Sequence, residues 1–403
     1  MTIVESITLI LALVYVGTLL YWNGHKYGAY TTIVFTLIAV GISMHPQLIF
    51  ALAVSQIAFL GIKYTYPQLL ANELRINPLR QAFQNFLALS LLFTAIQYTL
   101  YLVLLKNNIS TSLLRPNIVD AFLPLAGSIE IRGIIEHGYW DNEHPAAVMM
   151  LSVVLLTGLL CKRAFCGWIC PIGTVCEKIH AIRLKIIPKA YLPTKWLDWI
   201  LRTIKYVLLL GILYIVIGMP TKLVMHYLQG NYHKVADIKM AMFFVSPSMI
   251  TLCVLGLILL VTAWRRQGFC RYICPYGALL GLISFLSPLK IRRDKNHCLL
   301  ENGLACDKCS RACPADIKVH QCTTVRADEC QACLRCVAAC PNKKALGLRL
   351  KNGKRLCHKE LTILLVVLFF VVPLIAYLCG FWESQTPAEL KRYLMMNLDR
   401  IGI

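Results

Sequence analysis

Long apolar stretches, interrupted by short basic ones, dominate the chain. Apolar runs of about 17 to 25 residues are long enough to cross a bilayer as helices, and eight are found: 3–21, 30–45, 47–63, 86–105, 146–161, 199–218, 242–264 and 361–380. The pattern predicts an all-α polytopic membrane protein of about eight transmembrane helices. The opening stretch MTIVESITLILALVYVG has a glutamate and no basic residue ahead of its apolar part. It lacks the positive n-region of a cleavable signal and reads as a retained anchor. Only 291–360 stays polar for any length. Four regions follow: N-terminal transmembrane helices over 1–85, a membrane core over 86–290, a polar insert over 291–360, and a final transmembrane helix with an interfacial tail over 361–403.

Composition agrees with the pattern, since 58% of the 403 residues are hydrophobic and 15% charged, against about 25% charged in soluble domains. Lysine and arginine gather in 63–84, 162–198 and 265–360, which eight helices put on one side. The positive-inside rule makes that side the cytoplasm, leaving 106–145, 219–241, the tail from 381 and both termini outside. The expected location is a bacterial-type inner membrane, multi-pass, with the insert cytoplasmic. The net charge of +21 is what insertion demands, so it needs no nucleic-acid partner. An anionic lipid surface or an acidic electron carrier fits the same charge.

The 18 cysteines fall mostly in segments assigned to the reducing cytoplasm, where thiols serve metals rather than disulfides. The insert is also too short and cysteine-rich to rest on an ordinary core. Residues 330–340 read CQACLRCVAAC, followed by Pro341. This is the bacterial ferredoxin run C-x2-C-x2-C-x3-C-P, whose fourth cysteine ligates the other cluster of a pair. Upstream, CDKCSRACP supplies Cys306, Cys309, Cys313 and Pro314, one cysteine short. Cys298, displaced by the lengthened loop LLENG, is the preferred fourth ligand and Cys322 its competitor. The first [4Fe-4S] set is then Cys298, Cys306, Cys309 and Cys340, and the second is Cys330, Cys333, Cys336 and Cys313. The expected insert is a small α+β bacterial-ferredoxin-like 2[4Fe-4S] unit. A zinc ribbon would explain C-x2-C pairs, but it needs four ligands and no C-x3-C-P endings. Cys322, Cys357 and Cys379 otherwise read as free thiols.

In the membrane core, RAFCGWICPIG and QGFCRYICPYG match at phenylalanine, both cysteines, isoleucine, proline and glycine, 104 residues apart. Each copy follows a helix arriving at the same face, so Cys166, Cys170, Cys270 and Cys274 are expected to converge. A spacing of four puts two thiols on one side of a helical turn, and Pro171 and Pro275 belong in a first turn. Three readings stay open: a further metal or iron–sulfur centre, dithiol–disulfide cycling, or inert buried cysteine. Cys161 and Cys176, without counterparts in the second copy, read as packing residues.

Two C-x3-C-P motifs at membrane-helix ends followed by a double-cubane ferredoxin segment resemble the NapH/NosR group of membrane ferredoxin-type proteins over roughly 86–380. The resemblance implies an inner-membrane electron carrier associated with quinol oxidation, or with supplying electrons to a periplasmic reductase or its maturation. NosR-like members carry a periplasmic flavin-binding domain ahead of the helices, where this sequence has short hydrophobic helices. Leu123 stands where group members often have an outer-loop cysteine. A membrane copper reductase assisting cytochrome oxidase assembly is a second, more distant resemblance.

The sequence holds no C-x-x-C-H for haem c and no G-x-G-x-x-G nucleotide fingerprint. The outer loop RPNIVDAFLPLAGSIEIRGIIEHGYWDNEHPAA, acid-rich with two histidines, faces a quinol or periplasmic partner or is a solvated connector. The tail TPAELKRYLMMNLDRIGI opens in capping-box order and reads as an interfacial helix. The expected function is a relay of single electrons between a quinone-linked or cytoplasmic donor and a membrane or periplasmic partner such as a cytochrome or flavoprotein. The alternative is a membrane redox sensor or assembly factor.

Overall fold

The structure is a computed structural model that describes residues 76–109, 113, 115–188 and 193–401. The three expected spans before residue 64 lie outside the described residues. Helix α1 (Ile76–Lys106) is followed by α2 (Pro124–His137), α3 (Pro145–Cys161), α4 (Pro171–Ile186), α5 (Lys195–Gly218), α6 (Ala236–Val245), α7 (Met249–Trp264) and α8 (Pro275–Ile283). After the insert comes α9 (His358–Leu378), widened by a π-turn over Val367–Val371.

Among the described residues three helices are long and apolar enough to cross a membrane, within α1, α5 and α9, and a fourth if α6 and α7 count as one span. Helix α3 is apolar but only 17 residues long. Leu92, Phe93 and Ile96 on α1, Val207, Leu210 and Tyr214 on α5, and Leu257 and Leu260 on α7 are all exposed. Such helical stripes of exposed apolar side chains suit hydrocarbon, not water.

The run 242–264, expected as one straight span, is instead broken, with α6 and α7 bent by 76°. Pro247 has no N–H to offer and disfavours helical backbone before it, and Ser246 sits at φ −128°, ψ 64°. Ser248 then accepts the Thr251 N–H at 3.2 Å and caps the new helix.

The insert is built on a three-stranded antiparallel sheet, β1 (Lys290–Arg293), β2 (Leu346–Arg349) and β3 (Arg355–Leu356), in the order β1-β2-β3. Ile291 stands opposite Leu348. Both point into a core that also holds Trp168, Leu280, Leu361 and Phe83 from the helical part. The insert therefore shares its hydrophobic core with the membrane helices, which explains how so short a segment is stabilised.

Candidate functional site

The insert's cysteines surround two small cavities. Cys298, Cys306, Cys309 and Cys340 line one, together with Arg293 and His320. Cys313, Cys330, Cys333 and Cys336 line the other. Cys322 lines neither. Four thiols around each cavity are the donor set of a [4Fe-4S] cluster, and the residues present fit that group.

The loop 330–336 curls because Ala332 and Leu334 adopt left-handed backbone, at φ 47° and 59°. Non-glycine residues hold that conformation only when their surroundings impose it. At Ala332 the carbonyl is held by Trp168, whose indole N–H donates to it at 3.1 Å.

The two sets differ electrostatically. Burial alone would raise the Cys298 thiol, but the Arg293 guanidinium donates to its sulfur at 3.4 Å and leaves it below its ordinary value. Burial and then the neighbouring Cys333, Cys330 and Cys313 push Cys336 well up. Arg293 thus donates directly to a sulfur of the first set, whereas in the second set Arg80 lies near Cys333 without offsetting the burial that raises its thiol.

The repeated motif folds alike in both copies. In the first, a π-turn over Phe165–Ile169 ends at Cys170 (φ −57°, ψ 120°), and Pro171 begins α4. In the second, a helical turn over Gly268–Tyr272 leads to Cys274 (φ −66°, ψ 114°), and Pro275 begins α8. The C-x3-C spacing therefore spans a helix break instead of one continuous turn, because the residue before a proline is driven out of helical backbone.

The motif glycine is required by close approach. A Cβ on Gly173 would stand 2.7 Å from the Cys166 carbonyl oxygen, and one on Gly277 would stand 2.8 Å from that of Cys270. Each glycine lets the turn carrying the first cysteine lie against the helix that follows the second.

The turns bring the four thiols into one electrostatic group. Burial, then Cys270 and Cys166, push Cys274 up to about 12, and burial, then Cys270 and Cys166, raise Cys170. The buried Arg163 guanidinium lies beside Cys166, Cys270 and Cys274, and its Nε and Nη2 have no hydrogen-bond partner. A cation left with unpaired donors beside thiols is compensated when those sulfurs are thiolates, as metal binding makes them. Cys176, expected from sequence as a packing residue, is buried beside Cys270 and lies 3.9 Å from the Thr262 hydroxyl.

Both copies grip the same loop of the insert, residues 325–333. A Cβ on Gly167 would meet the Gln331 carbonyl oxygen at 2.7 Å and the Cys333 Cβ at 3.4 Å. The Gly167 carbonyl is held from α1 by Arg80 and Gln84, each donating at 3.0 Å. One position on, Trp168 holds Ala332. In the second copy the equivalent of Gly167 is Arg271, which donates to Glu329 at 3.1 Å and to Asp198 at 2.9 Å. The Lys162 ammonium donates to the Val325 and Ala327 carbonyls at 3.0 and 3.1 Å. On α5, Lys205 and Tyr206 bind the Asp328 carboxylate at 3.1 and 2.6 Å.

On the other side of the paired motif lies an apolar cavity of about 400 Å³ lined by Cys170, Pro171, Cys274, Pro275 and Tyr276, with α1, α3 and α9 completing its walls. Phe165 and Phe369 stack at 5.4 Å in its wall. No sequence signal marks it, because its residues come from six separate segments. Tyr276 and Arg163 carried no motif of their own beyond their closeness to the paired cysteines.

Comparison with known proteins bears on these sites. A family model described as a 4Fe-4S binding domain matches residues 143–189 and 245–294, the two segments that carry the paired C-x3-C-P motifs. The putative electron transport protein YccM of Escherichia coli is 34% identical over 330 residues, covering 80% of this chain and 91% of that protein. The ferredoxin-type protein NapH of Escherichia coli is 27% identical over 209 residues, covering 49% of this chain and 66% of NapH. The regulatory protein NosR of Pseudomonas aeruginosa is 29% identical over 185 residues, covering 43% of this chain and 23% of NosR. No solved structure matches the chain significantly.

Proposed function

The chain belongs to the NapH/NosR-like ferredoxin-type proteins, an iron–sulfur electron-transport family, and from that premise we propose that it relays single electrons between a quinone-type molecule in the apolar cavity and two [4Fe-4S] sites in the insert. The observation that carries the reading is the position of the paired-cysteine turns. On one side they line the apolar cavity through Cys170 and Cys274. On the other, Gly167 and Trp168 touch Gln331, Ala332 and Cys333.

Cys298, Cys306, Cys309 and Cys340 would hold one cluster and Cys330, Cys333, Cys336 and Cys313 the other. Bound there, clusters supply one-electron carriage. The protein's own residues set the conditions. Arg293 places positive charge at Cys298, Trp168 holds the Ala332 carbonyl in the second cysteine loop, and the shared core excludes water from it. Cys166, Cys170, Cys270 and Cys274 form a further metal or iron–sulfur site between cavity and insert. The unpaired Arg163 donors beside these thiols favour that reading over inert cysteine.

The proposed setting is a bacterial-type inner membrane crossed about eight times, with the insert in the cytoplasm. The redox partner would be a quinone-linked, cytochrome or flavoprotein subunit. Anaerobically purified protein should contain at least eight iron and eight acid-labile sulfide atoms per chain, by the count of four per cubane. Zinc in place of iron overturns the reading.

A further inference from the structure

At the end of α3 remote from Cys166, the outer-loop acids and histidines fold into a buried network. Asp120 is held by Arg115 and by the His144 ring at 3.0 Å. Asp237 is held by Arg115 at 2.9 Å and Lys391 at 3.6 Å. Two further acids, Glu130 and Asp141, share a single histidine, His233, at 3.6 and 3.0 Å. Among the described residues no lysine or arginine pairs with Glu130 or Asp141.

Glu130, on α2, is 1% exposed, Asp141 in the following loop 2%, and His233, in the short helix Asn231–Lys234, 0%. One ligand atom from each lies within 4.8 Å of the other two. The His233 Nε2 faces both acids, 3.0 Å from Asp141 Oδ2 and 3.6 Å from Glu130 Oε1, and Asp141 Oδ2 also accepts the backbone N–H groups of His144 at 2.9 Å and Glu143 at 3.2 Å. Its other oxygen has no partner. Both Glu130 oxygens and the His233 Nδ1 are also buried without hydrogen bonds.

Buried polar atoms left without partners lose their hydration and gain nothing in return, which destabilises the fold. A cation among the three side chains satisfies Glu130 and Asp141 together.

We propose that Glu130, Asp141 and His233 bind one divalent first-row transition-metal cation, a structural site separate from the cysteine centres. Two carboxylates and one imidazole suit manganese, iron(II) or zinc rather than a soft ion such as copper(I). The bound ion joins α2, the loop before α3 and the Asn231–Lys234 helix, three segments that are otherwise linked here by few direct hydrogen bonds. The helix α3 of 17 residues, at about 1.5 Å per residue, keeps the ion roughly 25 Å from the Cys166 turn. At that distance it shares no ligand with the cysteine centres.

The test uses the full chain in detergent, treated with a mild chelator, desalted and titrated with manganese(II) while the free-ion EPR signal is followed. The expected result is one saturable manganese per chain, displaced by zinc. Binding should weaken at least tenfold in Glu130→Gln and His233→Gln, with iron and sulfide content unchanged. Glu136→Gln, on the same helix, should bind as wild type. Electron spin-echo modulation of the bound manganese in unaltered protein should report one imidazole nitrogen, a readout independent of any variant. Absence of saturable binding in the wild type, equal binding in both ligand variants, or no nitrogen coupling overturns the proposal.

Discussion

Trp168, in the first C-x3-C-P copy, donates its indole N–H to the carbonyl of Ala332, inside the second ferredoxin-type cysteine loop, at 3.1 Å. Both residues are almost fully buried. One hydrogen bond thus joins the membrane motif to the loop between Cys330 and Cys333. Replacing Trp168 with phenylalanine keeps most of the apolar contact and leaves the Ala332 carbonyl unsatisfied, at a cost of about 1–3 kcal/mol. A lower denaturation midpoint with cluster content retained is expected; an unchanged midpoint would show that the bond contributes nothing.

Gly167 tests the same interface by bulk. Alanine there would place a Cβ 2.7 Å from a backbone oxygen of the insert, whereas at Gly211 a Cβ meets nothing within 4 Å. Gly167→Ala should slow reduction of the insert's clusters severalfold, and Gly211→Ala should leave the rate unchanged. Equal rates in the two variants would mean that the insert shifts without consequence.

Cys298 and Cys322 compete in sequence for the displaced ligand position. Serine at Cys298 should remove or alter one of two cluster EPR signals, and serine at Cys322 should leave both intact. The reverse pattern would transfer the role to Cys322.

Arg293 holds positive charge against Cys298 Sγ, and a nearby cation favours the reduced, more negative form of a cluster. Arg293→Gln should therefore lower the midpoint potential of the first set alone, with Arg293→Lys intermediate. A redox titration followed by EPR reads the shift, and an unmoved potential contradicts the assignment.

The chemistry was more legible in the sequence than the architecture. Cysteine spacing is local, so the runs ending in Pro314 and Pro341 announce ligand sets without tertiary information. The same holds for Pro171 and Pro275, which begin helices as their positions suggest. What escaped depends on distant pairings: the grip of Trp168 on Ala332, the unpaired Arg163 donors and the cavity wall shared by Phe165 and Phe369. The run 242–264 misled because hydropathy dominates its reading. Pro247, flanked by two serines, breaks it in spite of that hydropathy. Cys176 had no counterpart in the second copy and so no sequence reason to be placed beside Cys270.

The central claim is that the paired-cysteine site lies on the electron path between the apolar cavity and the insert. It is tested most directly by rapid mixing of oxidised protein with a soluble quinol, following cluster reduction in the wild type and in a variant with serine at Cys166, Cys170, Cys270 and Cys274. The account predicts that the variant keeps both ferredoxin-type signals after chemical reduction but is not reduced by quinol. Loss of either pair alone should have the same effect, since residues acting as a unit are not additive. Reduction of the four-serine variant at the wild-type rate would contradict it.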